Sequence, residues 1–425
     1  MDSIGYLRRL RLFSHDVRLY LIATATMAFA ILGIYGVLFN LYLLRLGYGP
    51  EFVGLVSAAG QLGFSASCLL VGALGTRWRT RRMMIAGIGL IVVGFGSLPL
   101  TEFMPLSWQE GWLVATYALA RVGAALYLVN GTLFLTGATS PEERVYAFSV
   151  LVALQRLLGF AGSLVGGLLP GFFAGVLGVA ADRPAPYRYS LLTAALLPIS
   201  AVLALLATRE VRVRRKKWPV VDTGTAPLGL IALLALIVLF RCAGRGAVTI
   251  FFNVYLDAGL HVSTSRIGAL NAAAQLVAVP ASLVMPLLVA RWGKARCLIL
   301  VTLCTAVSLL PLAAIPHWVA AGFSFVGMMM LFSITSPAMS VYSQESVLPD
   351  WQAAVAGAVN MAAGLGPAIA AMGGGYAIGA LGYRSVFWAG AGLTATGALL
   401  LWACSRVLHG EPRPDKAKAS IFPGT

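Results

Sequence analysis

The stretch FNLYLLRLGYGPEFVGLVSAAGQL, Phe39 to Leu62, returns later in the chain as FNVYLDAGLHVSTSRIGALNAAAQL, Phe252 to Leu276. Asn40 and Asn253 are 213 positions apart, and after one inserted residue Gly54 and Gly268, then Gln61 and Gln275, are 214 apart. Further on, GALGTRWRTRRM from Gly72 aligns with PLLVARWGKARC from Pro286 at the same 214, setting Arg77–Trp78 over Arg291–Trp292. The offset is about half of the 425 residues. One shared dipeptide is chance, whereas three in register are a duplication into two like halves.

The halves are made for lipid. Hydrophobic residues are 59% of the chain and charged ones 11%, with mean hydropathy +0.85; soluble domains carry about 25% charge. Runs long enough to cross ~30 Å of hydrocarbon fall at 17–44, 51–76, 82–103, 111–137, 146–172, 188–208, 227–256, 264–290, 296–315, 317–343, 353–380 and 384–406. In lipid the backbone must satisfy its own hydrogen bonds, so each run is predicted to be a helix. The fold class is therefore all-α and integral to the membrane, with twelve transmembrane helices. An even number puts both termini on one side. Arg8, Arg9 and Arg11 precede a run too long for a cleavable signal, so the first span is expected to stay.

The net charge of +16 does not indicate nucleic acid, because the basic residues lie in short runs between apolar stretches. With the N-terminus inside, 22 Lys and Arg fall on the inner side and 5 on the outer. That bias places both termini in the cytoplasm and the chain in the cytoplasmic (inner or plasma) membrane. The largest basic run, Arg209 to Lys217, opens a central linker that also holds Pro219 and Gly224. The halves are read as 1–208 and 227–425, joined by a cytoplasmic linker over 209–226. Two six-helix units of like direction form a parallel repeat of the kind secondary transporters use.

These residues resemble the major facilitator superfamily over the whole chain. That family carries Gly-x-Leu-x-Asp-Arg-x-Gly-Arg-Arg/Lys between spans 2 and 3, and a weaker copy between spans 8 and 9. Gly72, Leu74, Arg77 and Arg81 match the first copy; Leu288, Arg291, Gly293 and Lys294 match the second. Thr76 and Ala290 stand where the family has the Asp, and Arg79 where it has the second Gly. Ser140 to Arg144 also resembles the family's loop between spans 4 and 5. The resemblance implies two bundles related by a pseudo-two-fold axis, alternating access, and gating by Gly72, Arg77, Arg81, Arg291, Gly293 and Lys294. It also implies a latch that lacks its acidic member.

Four arginines lie inside spans: Arg121 in the fourth, Arg156 in the fifth, and Arg241 and Arg245 one turn apart in the seventh. At mid-bilayer each costs roughly 2.5–3.5 kcal/mol on insertion scales, so each must face water or a partner. The 15 acidic residues fall almost wholly at span ends and in loops. The missing negative charge is therefore assigned to the cargo: an anionic group bound between the halves by Arg121, Arg156, Arg241 and Arg245, whose guanidinium forks suit carboxylate, phosphate or sulfate. The family resemblance leaves Arg121 a structural or proton-coupling role as the alternative. Gln61, Gln155, Asn271, Gln275, Asn360 and Tyr35 lie at similar depth and are further candidate substrate contacts, with interhelical hydrogen bonding as their alternative. Tyr117 and Tyr127 are possible aromatic walls.

Glu51 and Glu345 are the nearest carboxylates for proton coupling, and the four histidines all sit at span ends or beyond. No Walker loop, HExxH, GxSxG or His/Cys cluster occurs, and the five cysteines have no metal-ligand spacing, so neither catalysis nor a metal or other cofactor is expected. The function read from these features is transport of a small organic solute, taken as anionic, by a secondary or facilitative carrier. The alternative is a drug-efflux carrier of the same superfamily whose arginines serve coupling and structure. The bilayer and a small-molecule substrate are the expected partners, and the chain is read as a monomer.

Overall fold

The computed structural model describes residues 13–74, 79–210, 227–348 and 351–410; most of the central linker and the loop carrying Arg77 lie outside them. The described residues are helical and contain no strand. The spans are α1 His15–Arg45, α2 Pro50–Leu74, α3 Thr80–Phe103, α4 Leu106–Ala138, α5 Pro141–Leu177 and α6 Pro184–Leu206. The second set is α7 Leu228–Gly259, α8 Thr264–Trp292, α9 Lys294–Ala314, α10 Trp318–Glu345, α11 Gln352–Leu381 and α12 Tyr383–Gly410. Eleven meet the length and composition needed to cross a membrane among the described residues. The remaining helix, α8, has 29 residues, about 44 Å at 1.5 Å per residue.

Helices outrun their apolar runs where capping favours it. The hydropathic span begins near 146, but α5 starts at Pro141 because Ser140 and Glu143 form a reciprocal capping box, and it stops at Gly178, which takes a left-handed conformation at φ 63°. Pro198 interrupts α6. In α1, Ala28–Tyr35 is wound as π-helix, a widened turn that lets the helix follow its neighbours.

Packing repeats with the sequence. α1 lies on α5 and α6, α2 on α4, and α3 on α4 and α6; correspondingly α7 lies on α11 and α12, α8 on α10, and α9 on α10 and α12. The two bundles meet chiefly where α2 lies on α11 and α5 on α8, again an equivalent pair. Small residues make these approaches possible, since lipid offers no hydrophobic drive for helix association and close packing must supply it. A methyl on Gly33 of α1 would land on the backbone of Gly162 in α5, and one on Gly268 of α8 on Gly167 and Ser163 of α5. Gly162→Leu is therefore expected to destabilise the protein by about 1–3 kcal/mol through overpacking, seen as a fall of several degrees in melting temperature. Gly89→Ala, where an added methyl meets no neighbour, should leave melting nearly unchanged.

Candidate functional site

On the face bearing the α1–α2 and α7–α8 loops, the bundles are tied together. Arg45, ending α1, donates to both carboxylate oxygens of Asp257 in α7 at 2.7 and 2.6 Å. The Asp257 side chain is 8% exposed, so this bidentate pair is largely out of solvent. Tyr187, opening α6, receives a bond from Arg45 at 3.3 Å and shares another with Thr264, opening α8, at 2.7 Å. Below the ion pair, the repeated asparagines trade places. Asn40 of α1 donates to the Ile250 carbonyl of α7 at 2.8 Å, while Asn253 of α7 donates to Gly36 and Val37 of α1 at 3.0 and 3.3 Å. Asn271 of α8 orients Asn253 through a 2.8 Å bond to its side-chain oxygen. The structure thus places Asn271 in this closure rather than on the cavity wall.

Toward the opposite face the bundles part around a cavity of about 820 Å³, formed by α2 and α4 on one side and α7 and α11 on the other. Such a volume suits a small organic ligand. Of the candidate contacts, Gln61, Arg121, Arg245 and Asn360 line it, together with Phe64, Ser65, Cys68 and Met361. Arg121 donates through Nη2 to Gln61 Oε1 at 2.6 Å and lies over the Phe64 ring at 4.8 Å. Arg245 lies over Phe332 at 4.4 Å. The Nε atoms of Arg121 and Arg245 are buried and have no hydrogen-bond partner. No carboxylate lines the wall among the described residues. Two cations therefore face one space, an arrangement that attracts an anion.

The other candidates sit apart. Arg156 of α5 donates to Gln275 of α8 at 2.8 Å, a tie across the bundles. Arg241 is 6% exposed and points into the C-terminal bundle beside Gly397 of α12 rather than into the cavity. Tyr35 is buried and donates to the Phe95 and Leu191 carbonyls at 2.7 and 3.1 Å; Gln155 is half-buried and off the cavity wall. Tyr117 stacks on Phe39, and Tyr127 hydrogen-bonds Thr24, both inside the first bundle.

Among the loop residues, Arg81 donates to the Thr208 carbonyl at 2.7 Å and its amide to Glu210 at 3.1 Å. Lys294 binds both oxygens of Glu345 at 2.7 and 2.6 Å, on an exposed edge of the second bundle. Gly293 makes the α8–α9 turn at φ 78°, which a side chain would strain. Arg291 is exposed, Arg77 lies outside the described residues, and Gly72 lies within α2. Glu51 is exposed where α2 meets α11, its carboxylate against Gly379.

A family model described as the Major Facilitator Superfamily matches residues 19–358 and 234–423. The chain belongs to that superfamily. Its fold is shared by the nucleoside transporter NupG (TM-score 0.73, 13% identity, 92% of this chain and 100% of that one). A bacterial homologue of the lysosomal transporter Spinster is similar over 94% of this chain and 99% of its own (TM-score 0.71, 15% identity). The xylose transporter XylE from E. coli is similar over 91% and 94% (TM-score 0.71, 13% identity). At these identities the likeness is one of fold. In sequence, the multidrug transporter mfsC of Aspergillus fumigatus is 30% identical over 122 residues, which spans 28% of this chain but only 22% of that relative.

This superfamily member's closure was not read from sequence as a site. Arg45 and Asp257 sit at span ends among other loop charges, and only the repeated Phe-Asn pair marked the neighbourhood. Removing one member of a buried ion pair costs roughly 3–5 kcal/mol. Arg45→Gln or Asp257→Asn is therefore expected to favour opening on the loop face and closing of the cavity. Labelling of Cys68, which lines the cavity, by a polar maleimide should slow several-fold in either variant made in a background lacking the exposed Cys304; unchanged labelling would refute the role.

Proposed function

We propose that this carrier moves a small anionic organic solute across the cytoplasmic membrane by rocking residues 1–208 against 227–425, in secondary or facilitated transport, with both termini in the cytoplasm. The carrying observation is the convergence of Arg121 and Arg245 on one cavity whose described wall offers no carboxylate. Gln61 and Asn360 add polar contacts, and Phe64, Leu128 and Met361 accommodate an apolar body. On the topology read from Lys and Arg, the cavity opens to the cytoplasm and the Arg45–Asp257 side is the closed outer gate, so the state is inward-facing. Arg81, Gly293 and Lys294 shape the inner loops that must rearrange when the cavity closes.

The apolar part of the wall and the segment shared with a fungal multidrug transporter favour a second reading, a drug carrier. The two differ in cargo charge. Losing a charge-assisted hydrogen bond costs about 1.5–3 kcal/mol, so Arg121→Gln and Arg245→Gln should each weaken uptake of an anionic solute into proteoliposomes by 10- to 100-fold. Transport of cations that ignores both substitutions would replace the anion reading with the drug one.

Coupling to protons, where uptake shows it, is assigned to Glu51 rather than Glu345. Glu51 sits at the meeting of α2 and α11, whereas Glu345 is held by Lys294 within one bundle. Glu51→Gln should flatten the pH dependence of uptake and Glu345→Gln should not; the reverse result overturns the assignment.

A further inference from the structure

Arg241 leaves one charge unexplained by the central cavity. It is 6% exposed, and no carboxylate pairs with it among the described residues. A guanidinium cannot shed its proton to escape this, unlike a buried lysine. Together with Arg245, one turn along α7, it borders a void of about 10 Å³ inside the C-terminal bundle. The rest of the wall is Phe332 and four threonines: Thr302 and Thr305 of α9, Thr335 of α10 and Thr394 of α12. All four threonines are buried. Close helix approach fixes this geometry: Gly397 admits the Arg241 stem and Gly244 sits directly against Thr394.

Each hydroxyl already donates to a carbonyl of its own helix, Thr302 at 2.7 Å and Thr305 and Thr394 at 2.8 Å. Their protons are therefore committed to the helix backbone. Thr335 differs, with bonds of 3.2 and 3.3 Å to Leu331 and Phe332, long for a hydroxyl donor. Its proton is the one free to turn into the void. Two positive groups on one helix face repel each other, and neutral oxygens do not cancel their charge. The space is small, which disfavours a carboxylate or phosphate against a monatomic ion.

We propose that this void is a binding site for a monovalent anion of halide size, separate from the solute cavity. The anion bridges Arg241 and Arg245, takes the Thr335 proton as a hydrogen bond, and ties α7 to α9, α10 and α12. Because Arg245 borders both spaces, occupancy also sets how much of its charge reaches the cavity.

The test is thermal melting of the purified full-length protein, with sodium chloride or bromide exchanged for sodium gluconate at fixed ionic strength and no transported solute present. The wild type should gain several degrees with saturable halide dependence. Thr335→Val, a near-isosteric change that keeps the fold, should weaken the apparent halide affinity at least tenfold, and Arg241→Met should abolish the response. Arg121→Met, in the solute cavity, should retain it. Anomalous scattering from bromide in crystals should place one ion between Arg241 and Arg245. Equal melting in halide and gluconate means water alone fills the void and overturns the proposal. A halide response that survives both Thr335→Val and Arg241→Met, or that vanishes in Arg121→Met, also overturns it by placing the anion elsewhere.

Discussion

An arginine in a membrane-spanning helix cannot neutralise itself, so its charge must be answered by geometry. The structure answers it in four ways. Arg45 has a carboxylate across the bundle interface. Arg121 and Arg156 have glutamine oxygens. Arg245 has an aromatic face and open space, and Arg241 borders a small void among threonines in its own bundle. The first solution closes one face of the molecule, and the incomplete ones leave positive potential at its centre. The tie between the bundles and the positive potential of the cavity thus both follow from where counter-charge is supplied and where it is withheld.

The duplicated sequence acquires a mechanical meaning at Asn40 and Asn253. Each is the equivalent of the other, and each caps a carbonyl three or four residues before its twin on the opposite bundle. The pseudo-two-fold axis therefore passes between them, and the amide exchange is its local expression. Such bonds form only when the bundles are together on that face. They are neutral and moderate in strength. The charged Arg45–Asp257 pair, by contrast, lies off the exact repeat and gives the closure its bias. The loop on the opposite face departs from the family pattern at Ala290, and Lys294 turns instead to Glu345 of α10, within its own bundle.

Much was legible in one dimension. Composition, span lengths and the 214-residue offset gave an all-helical membrane fold in two like halves, because lipid leaves the backbone no alternative to helix and a hydropathic run of fixed length is a local property. Gln61, Arg121, Arg245 and Asn360 were legible as cavity candidates for the same reason: a polar group at mid-depth is costly wherever the helix points.

Which way the helix points was not legible. Arg241 and Arg245 share a face at 3.6 residues per turn, yet one reaches the void inside its bundle and the other also reaches the cavity between bundles, because that face straddles the contact with α10 and α12. Asn271 reads like Gln275 in sequence, but the first braces the closure and the second holds Arg156. The meeting of Arg45 with Asp257 joins residues 212 apart. Sequence fixes depth along each helix through hydropathy, a one-dimensional quantity. Rotation about the helix axis and the pairing of distant ends depend on how close neighbours can approach, which only the packed structure decides.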